Sequence, residues 1–468
     1  MSGAPSLPLP LPLPSPRLMT PLEERIGSRE ARVVVVGAGY VGLPLCAEIA
    51  AAGFGTIALE KNPDRVRAIN AGSSYIGDVD SARLEALVRS GKLAAAADAD
   101  VLRAADVIVI CVPTPLNKTR DPDNSFVIEA ADLIAPRMER QQLIVLESTT
   151  FPGFTREVLL PRLLGGSGSG SGAGSGSGAG SGSSRALDQD FFLAFSPERV
   201  DPGNTTFVIR NTPKVIGGSS AASLEAAVSF YGTFVERVVP VSSTDVAEIS
   251  KLLENTFRAV NIGLVNEIAL MCRRLGLSAW EVIGAAATKP FGFMPFFPGP
   301  GLGGHCLPVD PLYLSWKMKT LKVDARFIAL AEEVNGAMPA FVVQRVADAM
   351  NDRKQVLNGS RILLSGITYK RDVADLRESP ALDIFELLLA RGARVDYFDT
   401  HVPSVQVGGR NRQSVRFDEA GQYDCVVIVT DHQDVDYAGL VERARLVVDC
   451  RNATRQLRDR HPGKIVEM

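Results

Sequence analysis

Residues 32–42 read RVVVVGAGYVG, and few short stretches limit a fold as tightly. Four consecutive valines form a continuous β-branched run, the pattern of a strand buried on both faces. It opens into GxGxxG, with Gly37, Gly39 and Gly42 framing Tyr40 and Val41. Residues 43–52 follow with helical character and stop at Gly53, and residues 57–60 supply a second strand that ends in Glu60. A strand, a glycine turn, a helix and an acid eighteen positions beyond the last glycine make the dinucleotide fingerprint. Its glycines admit a pyrophosphate to a helix N-terminus, and its acid takes the ribose hydroxyls. Glu60 repels a 2′-phosphate and so favours NAD over NADP, a preference that Lys61 and Arg65 weaken; the fingerprint alone also admits a flavin dinucleotide. The expected fold class is α/β.

The alternation continues. Residues 105–112 form a continuous apolar strand that runs into Pro113, Thr114 and Pro115, which turn the chain out over the carboxyl edge, where ligands bind in such sheets. Residues 143–147 form the next strand, followed by Ser148, Thr149 and Thr150. Hydroxyls there suit the nicotinamide end of a cofactor, a catalytic water or a plain helix cap. A further strand near 191–195 places Glu198 and Arg199 just past its end.

At 468 residues the chain is long enough for about three domains. The expected division is a Pro-rich disordered tail over 1–25, a dinucleotide-binding domain over 26–225, a central helical domain over 226–340, and a second doubly wound domain over 341–468. Residues 165–184 are nearly all Gly, Ser and Ala and read as a flexible surface loop. A long helix over 245–275, expected to be capped by Asp245 and Glu248, joins the two α/β regions and suits a subunit contact. Lys251 and Asn255 lie one turn apart on it, and Asn255 and Asn261 suggest a polar patch facing a cleft.

Residues 299–313, GPGLGGHCLPVDPLY, carry the candidate chemistry. Four glycines among the first six positions, Gly303 and Gly304 included, leave room for a ligand close to the backbone. Cys306 follows, with Asp310 four residues on: a thiol with a carboxylate in reach is what covalent catalysis on a carbonyl needs. Further along, residues 368–379 are dense in charge, with Lys370 and Arg377 among them. They read equally as a phosphate or ribose site and as a solvated loop.

Net charge is −3 with no basic stretch, which excludes a nucleic-acid partner as an expectation from composition. The six cysteines are scattered without a CxxC pair and the four histidines have no metal spacing, so no metal is expected and a reducing cytoplasm fits. No membrane span is expected, because no run of eighteen apolar residues occurs.

GAGYVGLPL, CVPTPL, ESTTFPG, SPERVDPGN, KLLENTFRA, GPGLGGHCLPVDP and GITYKRDVADLRESP occur in that order. Together they resemble the UDP-glucose/GDP-mannose dehydrogenase family from about residue 25 to the end. The resemblance implies two Rossmann-like domains joined by a long central helix, and an NAD-dependent, four-electron oxidation of the C6 alcohol of a UDP-sugar to the carboxylate, in precursor synthesis for a polysaccharide. It implies a homodimer or higher homo-oligomer. Cys306 matches the nucleophile, Asp310 its partner carboxylate, Lys251 and Asn255 the oxyanion- and water-holding pair, Glu198 the base for thioester hydrolysis, and Thr149 a water-holding hydroxyl. Gly37, Gly39, Tyr40, Val41, Gly42, Glu60, Arg65, Thr114, Thr149 and Arg377 are implied on the cofactor. Glu198, Arg199, Lys251, Asn255, Gly303, Gly304 and Lys370 are implied on the substrate.

Two positions depart from UDP-glucose enzymes: Pro202 stands where a second glutamate is common, and Val309 where a lysine precedes the aspartate. The motif combination looks more like the branch acting on UDP-N-acetylhexosamines. UDP-N-acetylglucosamine is therefore the expected substrate, with UDP-N-acetylmannosamine, UDP-N-acetylgalactosamine and UDP-glucose open. The rivals are a β-hydroxyacid dehydrogenase, which leaves Cys306 and the C-terminal region unexplained, and a non-catalytic NAD-binding scaffold, which needs no nucleophile.

Overall fold

In the computed structural model, the described residues are 20–139, 141–165, 185–201, 203–204 and 206–468. They form two compact units, one extending to Leu253 and one from Glu254 to Met468. Most of the expected Pro-rich tail (1–19), nearly all of the Gly/Ser loop (166–184) and Pro202 lie outside the described residues.

The first unit is built on eight strands: β1 (Arg32–Val36), β2 (Gly55–Leu59), β3 (Leu93–Ala96), β4 (Val107–Ile110), β5 (Gln142–Leu146), β6 (Phe191–Phe195), β7 (Lys214–Gly218) and β8 (Val238–Val241). Their order is β3-β2-β1-β4-β5-β6-β7-β8, parallel throughout except where β6 meets β7. The order reverses between β1 and β4, which makes the carboxyl ends of those strands the switch point. The sheet strands β4, β5 and β6 are buried at every position, as their apolar runs require, with the Gln142 amide that opens β5 bonded to the Leu102 and Ala105 carbonyls.

One expectation is corrected at the start of the chain. The tail assigned to 1–25 gives way to a helix, Pro21–Ser28, opened by a reciprocal cap between Thr20 and Glu23. Its Leu22 and Ile26 are buried in the first unit's core, and that apolar pair holds the segment in place.

In the second unit, β9 (Arg361–Ser365), β10 (Arg394–Phe398), β13 (Cys425–Ile428), β14 (Val447–Asp449) and β15 (Ile465–Glu467) form a parallel sheet in the order β10-β9-β13-β14-β15. The hairpin of β11 (Ser404–Val407) and β12 (Arg410–Gln413) stands apart from it. This is the second doubly wound sheet. The helix Arg326–Asn351 lays Met338, Val342, Val346 and Met350 against it. That helix continues through Pro339, and the helix Ala221–Tyr231 through 225, so the expected domain borders at 225/226 and 340/341 fall inside helices.

The long helix runs Thr244–Leu275, 32 residues, and the division into units falls within it. Its start differs from expectation. Asp245 pairs with Arg156, and Glu248 accepts hydrogen bonds from the Gly153 and Thr155 amides at 2.6 and 2.8 Å. Ser243 Oγ accepts from Val246 N instead, so the serine serves as the cap.

Candidate active site

The glycine turn of the first unit is cramped on one side and open on the other. Gly37 has φ +95°, and a Cβ there would lie 2.5 Å from the Cys111 carbonyl; at Gly42 it would lie 1.9 Å from the Gly37 carbonyl. Gly39 has nothing within 4 Å, and no side chain caps the helix Gly42–Ala51 that follows. An open cradle before an uncapped helix N-terminus fits a dinucleotide pyrophosphate. Glu60 sits at the tip of β2, accepting from Ala38 N at 3.2 Å and Asn62 N at 2.9 Å, with Arg65 at 3.4 Å from its Oε2. Tyr75 closes the turn by donating to the Ala38 carbonyl.

Beside it, the loops after β4, β5 and β6 are tied together. Ser148 Oγ accepts from Val112 N and donates to the Val112 carbonyl, which fixes the segment carrying Thr114 against the one carrying Thr149. Glu198 is buried, and its Oε1 accepts from Val200 N. Its Oε2 is buried without a hydrogen-bond partner among the described residues. Lys251 is also buried, and its ammonium donates to the Glu198 carbonyl. Arg199 donates to the Pro213 carbonyl at 2.6 Å. The structure thus brings Glu198, Arg199 and Lys251 together on one edge of the first unit.

Beneath them lies a pair that sequence reading missed. Lys214 Nζ is 2.8 Å from Glu147 Oε2, both buried, and Tyr231 donates its hydroxyl to Glu147 Oε1. Burial pushes the Glu147 carboxyl up, with Lys214 acting against it. The sequence signal was a lysine opening an apolar strand, a place where an unpaired charge is costly.

In the second unit, Cys306 is half-buried on a loop, and its carbonyl accepts from Val309 N and Asp310 N at 3.1 and 2.8 Å. Asp310 opens the helix Asp310–Thr320 and receives Asn255 Nδ2 at 2.6 Å. The structure therefore brings Asn255 and Asp310 together, one turn from Cys306. Asn261 does not join them; it donates to Phe257 O in its own helix. Asn266, unremarked in the sequence, is the buried amide: it bonds Asn335 and accepts from Gly299 N, which anchors the start of the glycine-rich segment.

Those glycines also have a neighbour in the chain itself. Rather than leaving room only for a ligand, Gly303 and Gly304 accommodate Tyr369, whose Cβ and ring would meet an added Cβ at 2.6 and 2.8 Å. The Gly304 amide donates to the Arg377 carbonyl, while the Arg377 guanidinium holds Asp375. Asp375 lies below the usual carboxylate range: burial raises it, and the bonds from Arg377 outweigh that.

A cavity of about 740 Å³ opens nearby in the same unit, lined by Trp280, Phe297, Arg371, Arg451 and Arg455, and a smaller one of about 350 Å³ adds Tyr369 and Lys370. Trp280 and Phe297 stack at 5.0 Å. Aromatic faces beside several cations suit a nucleoside diphosphate, and only Lys370 of this set was anticipated. His432 is buried behind it with both ring nitrogens engaged: Nδ1 accepts from Asp372 N at 2.9 Å, and Nε2 lies 3.2 Å from Asp399. Among the described residues, no helix is long and apolar enough to cross a membrane.

Three family models match the chain in order. They describe the NAD binding domain, central domain and UDP binding domain of the UDP-glucose/GDP-mannose dehydrogenase family, over residues 31–235, 245–337 and 363–456. A UDP-N-acetyl-D-glucosamine 6-dehydrogenase of Pseudomonas aeruginosa is 31% identical, covering 88% of this chain and 93% of that one. The structure of a UDP-D-ManNAc dehydrogenase from Pyrococcus horikoshii superposes with a TM-score of 0.79 at 31% identity, over 90% of this chain and 96% of that one. A UDP-glucose dehydrogenase from Pyrobaculum islandicum gives 0.77 at 26% identity, over 91% and 96%.

Proposed function

The chain belongs to the UDP-glucose/GDP-mannose dehydrogenase family, an NAD-dependent oxidoreductase of nucleotide sugars, and on that premise we propose that it converts UDP-N-acetylglucosamine to the uronate. The observation that carries the choice of sugar is the likeness to the Pseudomonas aeruginosa enzyme across 88% of the chain. A second reading, UDP-N-acetylmannosamine, is favoured by the likeness to the Pyrococcus horikoshii structure.

NAD, when bound, accepts the hydride of each oxidation. Gly37, Gly39, Tyr40, Val41 and Gly42 hold its pyrophosphate, Glu60 its ribose hydroxyls, and Arg65, Thr114, Thr149 and Arg377 its remaining edges. The Cys306 thiolate attacks the aldehyde carbon left by the first oxidation and forms a thiohemiacetal. The second oxidation turns this into a thioester, so one site performs both. Lys251 stabilises each oxyanion as a fixed cation, a role supported by its burial and its anchoring on the Glu198 carbonyl. Asp310 takes the proton of the attacking thiol and Asn255 keeps that carboxylate oriented, which their 2.6 Å bond supports. Water then attacks the thioester carbonyl, Thr149 helping to hold it and Glu198 accepting its proton, and the Cys306 thiolate leaves. Lys370 holds the diphosphate in the cavity lined by Trp280 and Phe297, with Arg451 in the same lining. Arg199, Gly303 and Gly304 shape the sugar end.

The active form is a homodimer or a larger homo-oligomer. Leu253, Phe257, Leu264, Met271 and Leu275 are all exposed on the helix Thr244–Leu275, at spacings that keep them on one stripe. A second copy of the chain is the occupant that buries it.

Comparing NADH formation with UDP-N-acetylglucosamine, UDP-N-acetylmannosamine and UDP-glucose tests the substrate. The highest kcat/KM with the first supports the proposal; the highest with either of the others replaces it.

A further inference from the structure

We infer that the buried Glu147–Lys214 pair positions Glu198, and through it governs hydrolysis of the thioester rather than either oxidation. The inference rests on the dehydrogenase reading above, with Glu198 as the base.

The segment 196–199 is held at three points from the β7 side, besides the Lys251 bond to the Glu198 carbonyl. Ser196 Oγ donates to the Val215 carbonyl at 2.9 Å, Arg199 donates to the Pro213 carbonyl, and Lys214 Nζ lies 3.5 Å from the Pro197 carbonyl. All three partners lie at the start of β7, and Lys214 is its first residue. Lys214 in turn is fixed by Glu147, the residue just past the end of β5, and Glu147 by the Tyr231 hydroxyl. Glu147 also opens the ESTTFPG segment that carries Thr149. One ion pair therefore links the two loops that carry the candidate base and the water-holding hydroxyl.

Stability alone gives no reason for it. A buried ion pair is on average no more stabilising than apolar side chains of the same volume, because both charges lose their hydration. A charge kept 5% exposed, directly behind the backbone of a buried carboxylate, makes sense where that carboxylate must be aimed. Glu198 Oε2 has no hydrogen-bond partner among the described residues, and Oε1 accepts from Val200 N of its own loop, so no other side chain aims the carboxylate. Its direction comes from the backbone at 196–200. In hydrolysis the water oxygen bonds to the thioester carbon, its proton passes to Glu198, and the carbon–sulfur bond breaks to release the Cys306 thiolate. The oxidations need no base at that position, so a misaimed Glu198 leaves them intact.

The test compares wild type with Lys214→Met and with the Glu147→Gln/Lys214→Met double variant, which leaves no lone buried charge and keeps the measurement valid if the single variant folds poorly. Rapid mixing with UDP-sugar and NAD is expected to give a burst approaching two NADH per site at near wild-type speed. A steady rate lowered at least about ten-fold should follow. Intact-mass spectrometry should then find an adduct on Cys306 with the substrate's mass less four hydrogens. Equal slowing of burst and steady phases without an adduct, or no change in either phase, overturns the inference. Wild-type protein that forms no NADH with any nucleotide sugar overturns the dehydrogenase reading itself, a distinct result.

Discussion

Asn255 Nδ2 donates to Asp310 Oδ2 across 2.6 Å, with the two residues only 7% and 2% exposed, so a carboxylate just after the Cys306 loop is locked by an amide from the long helix. Asn255→Ala removes that donor from a buried carboxylate. The expected cost is about 1–3 kcal/mol of stability, read as a lower denaturant midpoint. Asp310→Asn keeps the volume but replaces the acceptor, and turnover is expected to fall on the order of 10²-fold or more. Unchanged turnover in Asp310→Asn removes this residue from the chemistry.

Glu248 supplies a pH dependence. Burial raises its carboxyl to about 7, against the lowering effect of Thr155 and Gly153. A carboxyl held above its unfolded value of 4.5 favours the protonated folded state. Its contribution to stability is thus complete below pH 4.5 and is lost as pH rises through about 7. Across that window the loss is on the order of 3 kcal/mol. In urea titrations at pH 5 and pH 8, Glu248→Gln should lose less stability than wild type over the same interval. Equal losses in both proteins contradict this.

Gly303→Ala puts a methyl 2.6 Å from Tyr369 Cβ. Overpacking against a backbone-anchored side chain is expected to cost about 1–3 kcal/mol, and Tyr369→Gly in the same chain, which removes that Cβ, to recover part of it. Thermal midpoints of the two single variants and the double variant measure the coupling.

Leu264→Lys places a charge in the middle of the exposed apolar stripe on the helix Thr244–Leu275. Light scattering is expected to find a smaller species than wild type at the same concentration. An unchanged mass contradicts the assignment of that stripe to a second copy.

The fold was legible where local pattern and burial coincide. The valines of β1, the glycines after it and Glu60 fall where the sequence puts them, and the long helix begins at Thr244 against an expected 245. Cys306 and Asp310 stand out in the sequence because one short motif holds both, whereas the bond from Asn255 to Asp310 does not, because 55 residues separate them. Lys214 and Glu147 were not, because 67 residues separate them and only the sheet brings them together. Trp280, Phe297 and Arg451 gather around one cavity from three distant segments for the same reason. The neighbour of the glycines at 303 and 304 was not legible, because a missing side chain says that space is needed, not what fills it. In this fold Tyr369 fills much of it.

The central claim is that Cys306 carries a substrate through two successive oxidations. The most direct test is the ratio of NADH formed to UDP-sugar consumed, in wild type and in Cys306→Ser. Two NADH per UDP-uronate in wild type, with the variant losing uronate formation, is the predicted result. One NADH per sugar with an aldehyde as the final product, or an undiminished two in Cys306→Ser, contradicts it.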